Sequence, residues 1–278
     1  MAKIKAKTKQ RAFLKWAGGK YMLSDVIQTM LPSGKRLIEP FVGAGTVFLN
    51  SDYSHYLLND INQDLINIYQ ILQRQPAAYI EDTRKFFIAN NNDPERYYQL
   101  RAEFNASKDS YFRSLIFLYL NRHGYNGLCR YNMSGGFNVP FGRYKKDPYF
   151  PEQELNYFAE KAQKATFICK DFGDVFKMAK TNDIIYCDPP YVPLSETASF
   201  TRYSGNGFGL DEQKALAKAA EKTQKRKNIT VLISNHDTPF TRKIYQQAVE
   251  LKAVQVARMI SQKGGSRNKV AELLVLYK

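Results

Sequence analysis

RLIEPFVGAGTVFLN, residues 36–50, runs from a short apolar strand pattern through a glycine-rich turn into a helical pattern. Gly43 and Gly45 let the backbone come close to a ligand, as the first turn of a nucleotide-binding α/β sheet does. The dinucleotide form of that turn, G-x-G-x-x-G, requires a third glycine where Phe48 stands. A nucleoside cofactor without pyrophosphate fits better.

Outward from this unit, short apolar runs recur: RLIE (36–39), HYLLN (55–59), ATFICK (165–170), DIIYC (183–187), TVLIS (230–234), LKAVQVARMI (251–260) and ELLVLY (272–277). The first five are near-continuous apolar stretches, as parallel strands covered on both faces are. The last two are joined by the turn-like SQKGGSRNK and read as a hairpin, which puts an antiparallel strand at the end of an α/β sheet. Between the second and third runs the period changes. QDLINIYQILQ places Leu65, Ile68, Tyr69 and Leu72 at helical spacing, and YFRSLIFLYLNRH reads as a buried helix. The expectation is a discontinuous α/β domain, residues 1–62 and 152–278, interrupted by a helical insertion, 63–151.

The chain has 278 residues, 44% of them apolar, enough for a substantial core. Lys and Arg number 41 against 26 acids, a formal charge of +15, which calls for a polyanionic partner, nucleic acid first. No run approaches the ~20 apolar residues that span a bilayer, so no membrane segment is expected. The basic start, MAKIKAKTKQRAF, lacks the apolar stretch of a secretory signal, so a cytoplasmic location is expected, with the lysine-rich first nine residues disordered. Cys129, Cys169 and Cys187 and the histidines His55, His123 and His236 are scattered, without metal-site spacing. No metal is expected.

Asp60 ends the second strand in LLNDIN, where a carboxylate can accept both hydroxyls of a ribose; it is equally readable as a helix N-cap. FLKWAGGK (13–20) is not a P-loop, because Leu14 and Tyr21 stand where that motif needs Gly and Ser or Thr. Lys20 can instead hold a ligand carboxylate, while Trp16 offers an aromatic face or is an ordinary core aromatic. After the fourth strand comes DPPY, 188–191. An exocyclic amino group has its lone pair delocalised into the base. Accepting its two hydrogens on the Asp188 carboxylate and the Pro189 carbonyl would free that pair, with Pro190 rigidifying the turn and Tyr191 stacking on the base. A capped Pro-Pro turn is the plainer alternative. SNHDTPFTR (234–242) could shape a pocket, but His236 and Asp237 are given no catalytic role, and the basic stretch DEQKALAKAAEKTQKRK is read as a solvated face.

FLKWAGGK, EPFVGAG, a helical insertion and DPPY, in that order, resemble the DNA adenine amino-methyltransferases, and LNRHGYNGLCRYNMSGGFNVPFGRYK (120–145) is similar to the Dam family, which methylates adenine in GATC. The likeness runs from about Arg11 to Lys278. It implies a Rossmann-like seven-stranded methyltransferase sheet, S-adenosylmethionine as cofactor, and a recognition domain carrying a β-hairpin turned at Gly135-Gly136. It implies a cofactor site lined by Trp16, Lys20, Phe41, Gly43, Gly45, Asp60, Asp171 and Asp188. It implies double-stranded DNA as substrate, with the target adenine flipped out of the helix. Arg130 would read a guanine, Leu128 and Pro140 would meet a thymine methyl, Lys15 and Tyr144 would help read the first guanine, and Asn132 and Arg143 would hold phosphate. Tyr125 would wedge beside the target, with Asn126 next to it among the DNA contacts. The expected enzyme is a monomer. An RNA or protein amino-methyltransferase and a catalytically inactive DNA-binding protein are the alternatives.

Overall fold

The computed structural model describes residues 9–191, 208–227, 229–257 and 269–278. Among them, seven strands form one sheet: β1 (Arg36–Glu39), β2 (His55–Asn59), β3 (Ala165–Ile168), β4 (Asp183–Cys187), β5 (Thr230–His236), β6 (Glu250–Ala257) and β7 (Lys269–Tyr277). Their order is β3-β2-β1-β4-β5-β7-β6. The first five strands pair in parallel, and β7 runs antiparallel to both of its neighbours. The expected terminal hairpin is therefore present, but it is seated with β7 inside the sheet and β6 at the edge. That order is a matter of tertiary pairing, which a run of apolar residues does not encode. The expected strand residues 258–260 and turn residues 261–268 lie outside the described residues, as do residues 1–8 and the residues 192–194 that follow DPPY.

Successive strand residues point to opposite faces, and two cores result. Leu37, Leu58, Ile184, Leu232 and Leu274 join one core; Ile38, Leu57, Ile185, Val231 and Leu273 join the other. The second core is closed by α8 (Phe172–Lys177), α9 (Leu210–Lys227) and α10 (Pro239–Ile244). The first takes in α1 (Ser24–Met30), α2 (Thr46–Asn50) and α3 (Gln63–Arg74), then continues through α4 (Pro76–Arg84), α5 (Pro94–Ala106), α6 (Ser110–His123) and α7 (Glu152–Ala162). In α3 the spaced residues Leu65, Ile68, Tyr69 and Leu72 are fully buried. Gln70 and Gln73 donate from this helix to the carbonyls of Phe167 and Ala165, so α3 is tied to β3 while α4 to α6 build outward from it.

Asn59, 1% exposed, joins the carboxyl ends of three strands. Its Nδ2 donates to the carbonyls of Pro40 and Lys170, and its Oδ1 accepts the Lys170 N–H at 2.8 Å. β3 stops at Ile168 where this side chain takes over the pairing. Asn59→Ala leaves buried backbone groups unpaired and is expected to lower the unfolding free energy by about 2–4 kcal/mol in urea titrations. A loss within experimental error would show that water replaces the clamp.

Candidate active site and nucleic-acid interface

The sheet's strand order reverses between β1 and β4, and the loops leaving the carboxyl ends there are where open α/β sheets bind ligands. After β1 the chain turns with Gly43 at φ +47, and the Gly43 N–H is held by Asp60 Oδ2 at 3.1 Å. A Cβ on Gly43 would lie 2.9 Å from Trp16 Nε1, so the indole rests on the turn and needs glycine beneath it. Asp60 also accepts the Asn62 N–H, but the cap of α3 is Asn62, whose side chain takes the Leu65 N–H. The N-cap reading of Asp60 is thereby excluded. Burial raises its pKa against the opposing pull of the Asn62 and Gly43 backbone N–H groups.

Trp16 and Lys20 belong to one amino-terminal strap. Lys20, 4% exposed, reaches Asp188 Oδ1 at 2.9 Å, donates to the Gly18 carbonyl and stands 4.6 Å from the Tyr191 ring centre. Burial pushes the Asp188 carboxyl up to about 6, with Lys20 opposing and Glu272 adding to the shift. Tyr191 donates its hydroxyl to Glu272 Oε2 at 2.9 Å and meets His236 edge-on. The Pro190 carbonyl accepts from Gln213. Pro189 is buried and Pro190 exposed. Phe41 packs on Phe172 and Phe208, beside Asp171, whose carboxylate caps α8 through the Gly173 N–H. Gly45, at φ +72, opens α2.

Two residues at this site carried little sequence signal. Glu39 closes β1, is 2% exposed, and its Oε1 has no hydrogen-bond partner among the described residues. Its pKa is driven upward by burial and by the charge of Asp188. The only hint was a charged residue ending an apolar strand. Glu272, within ELLVLY, carried no hint beyond being an acid in a buried strand.

The segment after α6 doubles back on itself: Gly124 bridges Phe141 and Tyr131 bridges Phe137, with Gly135 at φ +78 in the turn. The expected hairpin is thus held by isolated bridges. Asn132 closes its turn by accepting the Ser134 and Gly136 N–H groups. Arg130 is exposed and anchored on Asn138; Tyr125 is 43% exposed. Pro140 is exposed and Leu128 half-buried. Asn126 and Arg143 both adopt φ +53, a left-handed conformation that costs energy outside glycine. Lys15 Nζ lies 4.2 Å from the Tyr144 ring centre and donates to the Arg122 carbonyl. Burial, with the Arg122 charge adding, lowers its pKa to about 8. Lys15 and Trp16 are consecutive, so the loop and the Gly43 turn share one strap.

The profile of the D12 class N6 adenine-specific DNA methyltransferases matches residues 16–260. A DNA adenine methylase of Vibrio cholerae serotype O1 is 61% identical over 97% of this chain and 96% of its own length. That of Escherichia coli K12 is 57% identical over the same shares. A solved precorrin-6Y C5,15-methyltransferase from Geobacter metallireducens covers 97% of this chain and 100% of its own at 9% identity and TM-score 0.42, a likeness that says nothing about function.

The Asp188 environment has a direct consequence. Carbon NMR of the labelled carboxyl is expected to titrate near pH 6, and Lys20→Met, which removes the cation that favours the ionised form, is expected to move that midpoint higher. A midpoint near 4, unchanged by the substitution, would contradict the burial and pairing described.

Proposed function

This chain belongs to the D12 class of N6 adenine-specific DNA methyltransferases and methylates adenine in DNA, and on that premise we propose that its target is the flipped-out adenine of duplex GATC. The observation that carries the catalytic reading is the meeting of the Lys20–Asp188 pair with the Gly43–Asp60 turn at the carboxyl ends of β1, β2 and β4. Asp188 accepts one hydrogen of the adenine amino group and the Pro189 carbonyl the other, which localises the nitrogen lone pair. The nitrogen forms its bond to the methyl carbon as the donor's sulfur–methyl bond breaks and a neutral thioether would leave; the nitrogen, cationic beside the Asp188 carboxylate, then gives one proton to water. No strong base is needed. Tyr191 stacks on the base, its hydroxyl held by Glu272.

The donor is S-adenosylmethionine, and the residues present fit it. The Gly43 turn lies under the Trp16 indole with its N–H on the Asp60 carboxylate, the orphaned Glu39 Oε1 lies buried at the end of β1, and the Lys20 cation stands on the same strap as Trp16. Trp16, Phe41, Gly43, Gly45, Asp60 and Asp171 would hold its nucleoside and Lys20 its carboxylate; bound there, it supplies an electrophilic methyl on sulfur.

For sequence reading we assign the first guanine to Lys15 and Tyr144, the guanine of the last base pair to Arg130, the thymine methyl to Leu128 and Pro140, and phosphate to Asn132 and Arg143. Tyr125 fills the gap left by the flipped base, with Asn126 beside it. Residues 63–151 form the recognition insertion in this assignment, and residues 1–62 and 152–278 the catalytic domain. The protein works as a monomer on cytoplasmic, nucleoid DNA; no described helix is long and apolar enough to cross a membrane.

Labelled methyl donor with duplexes differing only in GATC tests the specificity: label is expected on the GATC duplex alone, and equal labelling of both would refute it. The same reaction with RNA distinguishes the RNA enzyme. Asp188→Ala is expected to abolish transfer while duplex affinity stays within about threefold, because Asp188 faces the base and not phosphate. Retained turnover would remove Asp188 from the chemistry.

A further inference from the structure

Asn121 stands in the last turn of α6, 1% exposed, and none of the roles assigned above uses it. A buried amide has one acceptor and two donors to satisfy. Its Oδ1 accepts the Lys15 N–H at 2.8 Å; its Nδ2 donates to the Lys15 carbonyl at 2.7 Å and to the Gly127 carbonyl at 3.2 Å. The amide orientation is unambiguous, because a flipped group would set its NH₂ against an N–H and its oxygen against two carbonyls. The side chain therefore pairs with both backbone groups of Lys15, as a neighbouring strand would, and holds the recognition loop with its remaining hydrogen.

Packing constrains the same place a second time. A Cβ on Gly127, which sits at φ +64, would lie 2.2 Å from Lys15 Cβ, so the lysine stem rests directly against the loop backbone. From there the ammonium reaches the Arg122 carbonyl and the Tyr144 ring. Lys15 has thus lost most of the freedom of a surface lysine. Its backbone is fixed by α6, its stem by the loop, and its head by Arg122 and Tyr144.

We infer that Asn121 is a specificity-positioning residue: it registers the Lys15 backbone against the 124–128 loop and so sets where the lysine ammonium meets the first base pair of the site. This rests on Lys15 reading that base pair, as proposed above. Contacts to base edges discriminate only when held to within about half an ångström, and a flexible lysine reaches that precision only if its stem is anchored. Arg130, which reads the other end, is anchored separately on Asn138, so loss of Asn121 acts on one end of the site.

The test uses the full-length enzyme and duplexes with a single methylatable adenine, the opposite strand being already methylated. The cognate site is compared with one altered at the first base pair and one altered at the last, by kcat/KM. Discrimination is a ratio within one enzyme, so a smaller folded fraction cancels. Asn121→Ala, and Asn121→Asp, which keeps the acceptor for Lys15 N–H but loses both donors, are expected to lose about tenfold of first-position discrimination and keep that at the last position. Lys15→Ala is expected to lose the same first-position discrimination. If the Asn121 variants keep it while Lys15→Ala loses it, or if they lose both positions alike, the positioning role is overturned. If Lys15→Ala itself keeps it, the failure belongs to the reading of Lys15, and the inference falls with it.

Discussion

The ion pair between Lys20 and Asp188 joins the amino-terminal strap to the carboxyl end of β4, and the geometry of the whole site depends on it. Lys20 is 4% exposed, and an ammonium taken that far out of water is tolerated only beside an anion and further acceptors. Asp188 and the Gly18 carbonyl supply them. The pairing works in both directions. Burial alone would leave the Asp188 carboxyl protonated over a wide range; Lys20 pulls it back so that the ionised acceptor prevails at neutral pH. Trp16 lies four residues before Lys20 and covers Gly43, so the cation that tunes the acceptor also brings an aromatic wall to the ligand turn. Glu272 disfavours charge on Asp188 and keeps Tyr191 oriented, and the Asp188 charge, after burial, drives the Glu39 carboxyl upward.

Around this pair, the fold is fastened by side-chain amides, two of them buried and that of Asn105 exposed, where regular secondary structure gives out. Asn59 closes the ends of β1, β2 and β3; Asn105 pairs with the N–H and carbonyl of Phe137 in the hairpin; Asn121 does the same for Lys15. Each side chain stands in for a missing strand, satisfying backbone groups that are out of water. Asp64 extends the pattern with charge, binding the Arg113 guanidinium through two oxygens and the Tyr131 hydroxyl, which ties the hairpin to α3. Irregular loops held in this way keep fixed positions without a second rigid sheet.

Much of the architecture was legible because strand and turn chemistry is local. RLIE, HYLLN and DIIYC coincide with β1, β2 and β4 residue for residue, since Gly, Asp and Pro follow closely after apolar runs. The helical period over Leu65 to Leu72 marked α3 for the same reason. The place of β7 between β5 and β6 was not legible, because pairing order depends on contacts far apart in the chain. The site divides along the same line. Asp188 and Lys20 stand beside prolines or glycines that announce a turn, and Asp60 stands where an apolar run gives way to polar residues. Glu39 and Asn121 lie inside regular elements, where a polar residue looks the same whether it faces solvent or a buried partner. Only the three-dimensional arrangement separates the two cases.

Whether Asp188 receives the adenine amino group can be read from a crystal structure with S-adenosylhomocysteine and a GATC duplex. An extrahelical adenine is expected, its amino nitrogen within hydrogen-bond distance of both the Asp188 carboxylate and the Pro189 carbonyl and its ring against Tyr191. An adenine that enters the pocket with its amino group away from Asp188, or that stays stacked in the duplex while the pocket remains closed by the Lys20–Asp188 pair, would contradict it.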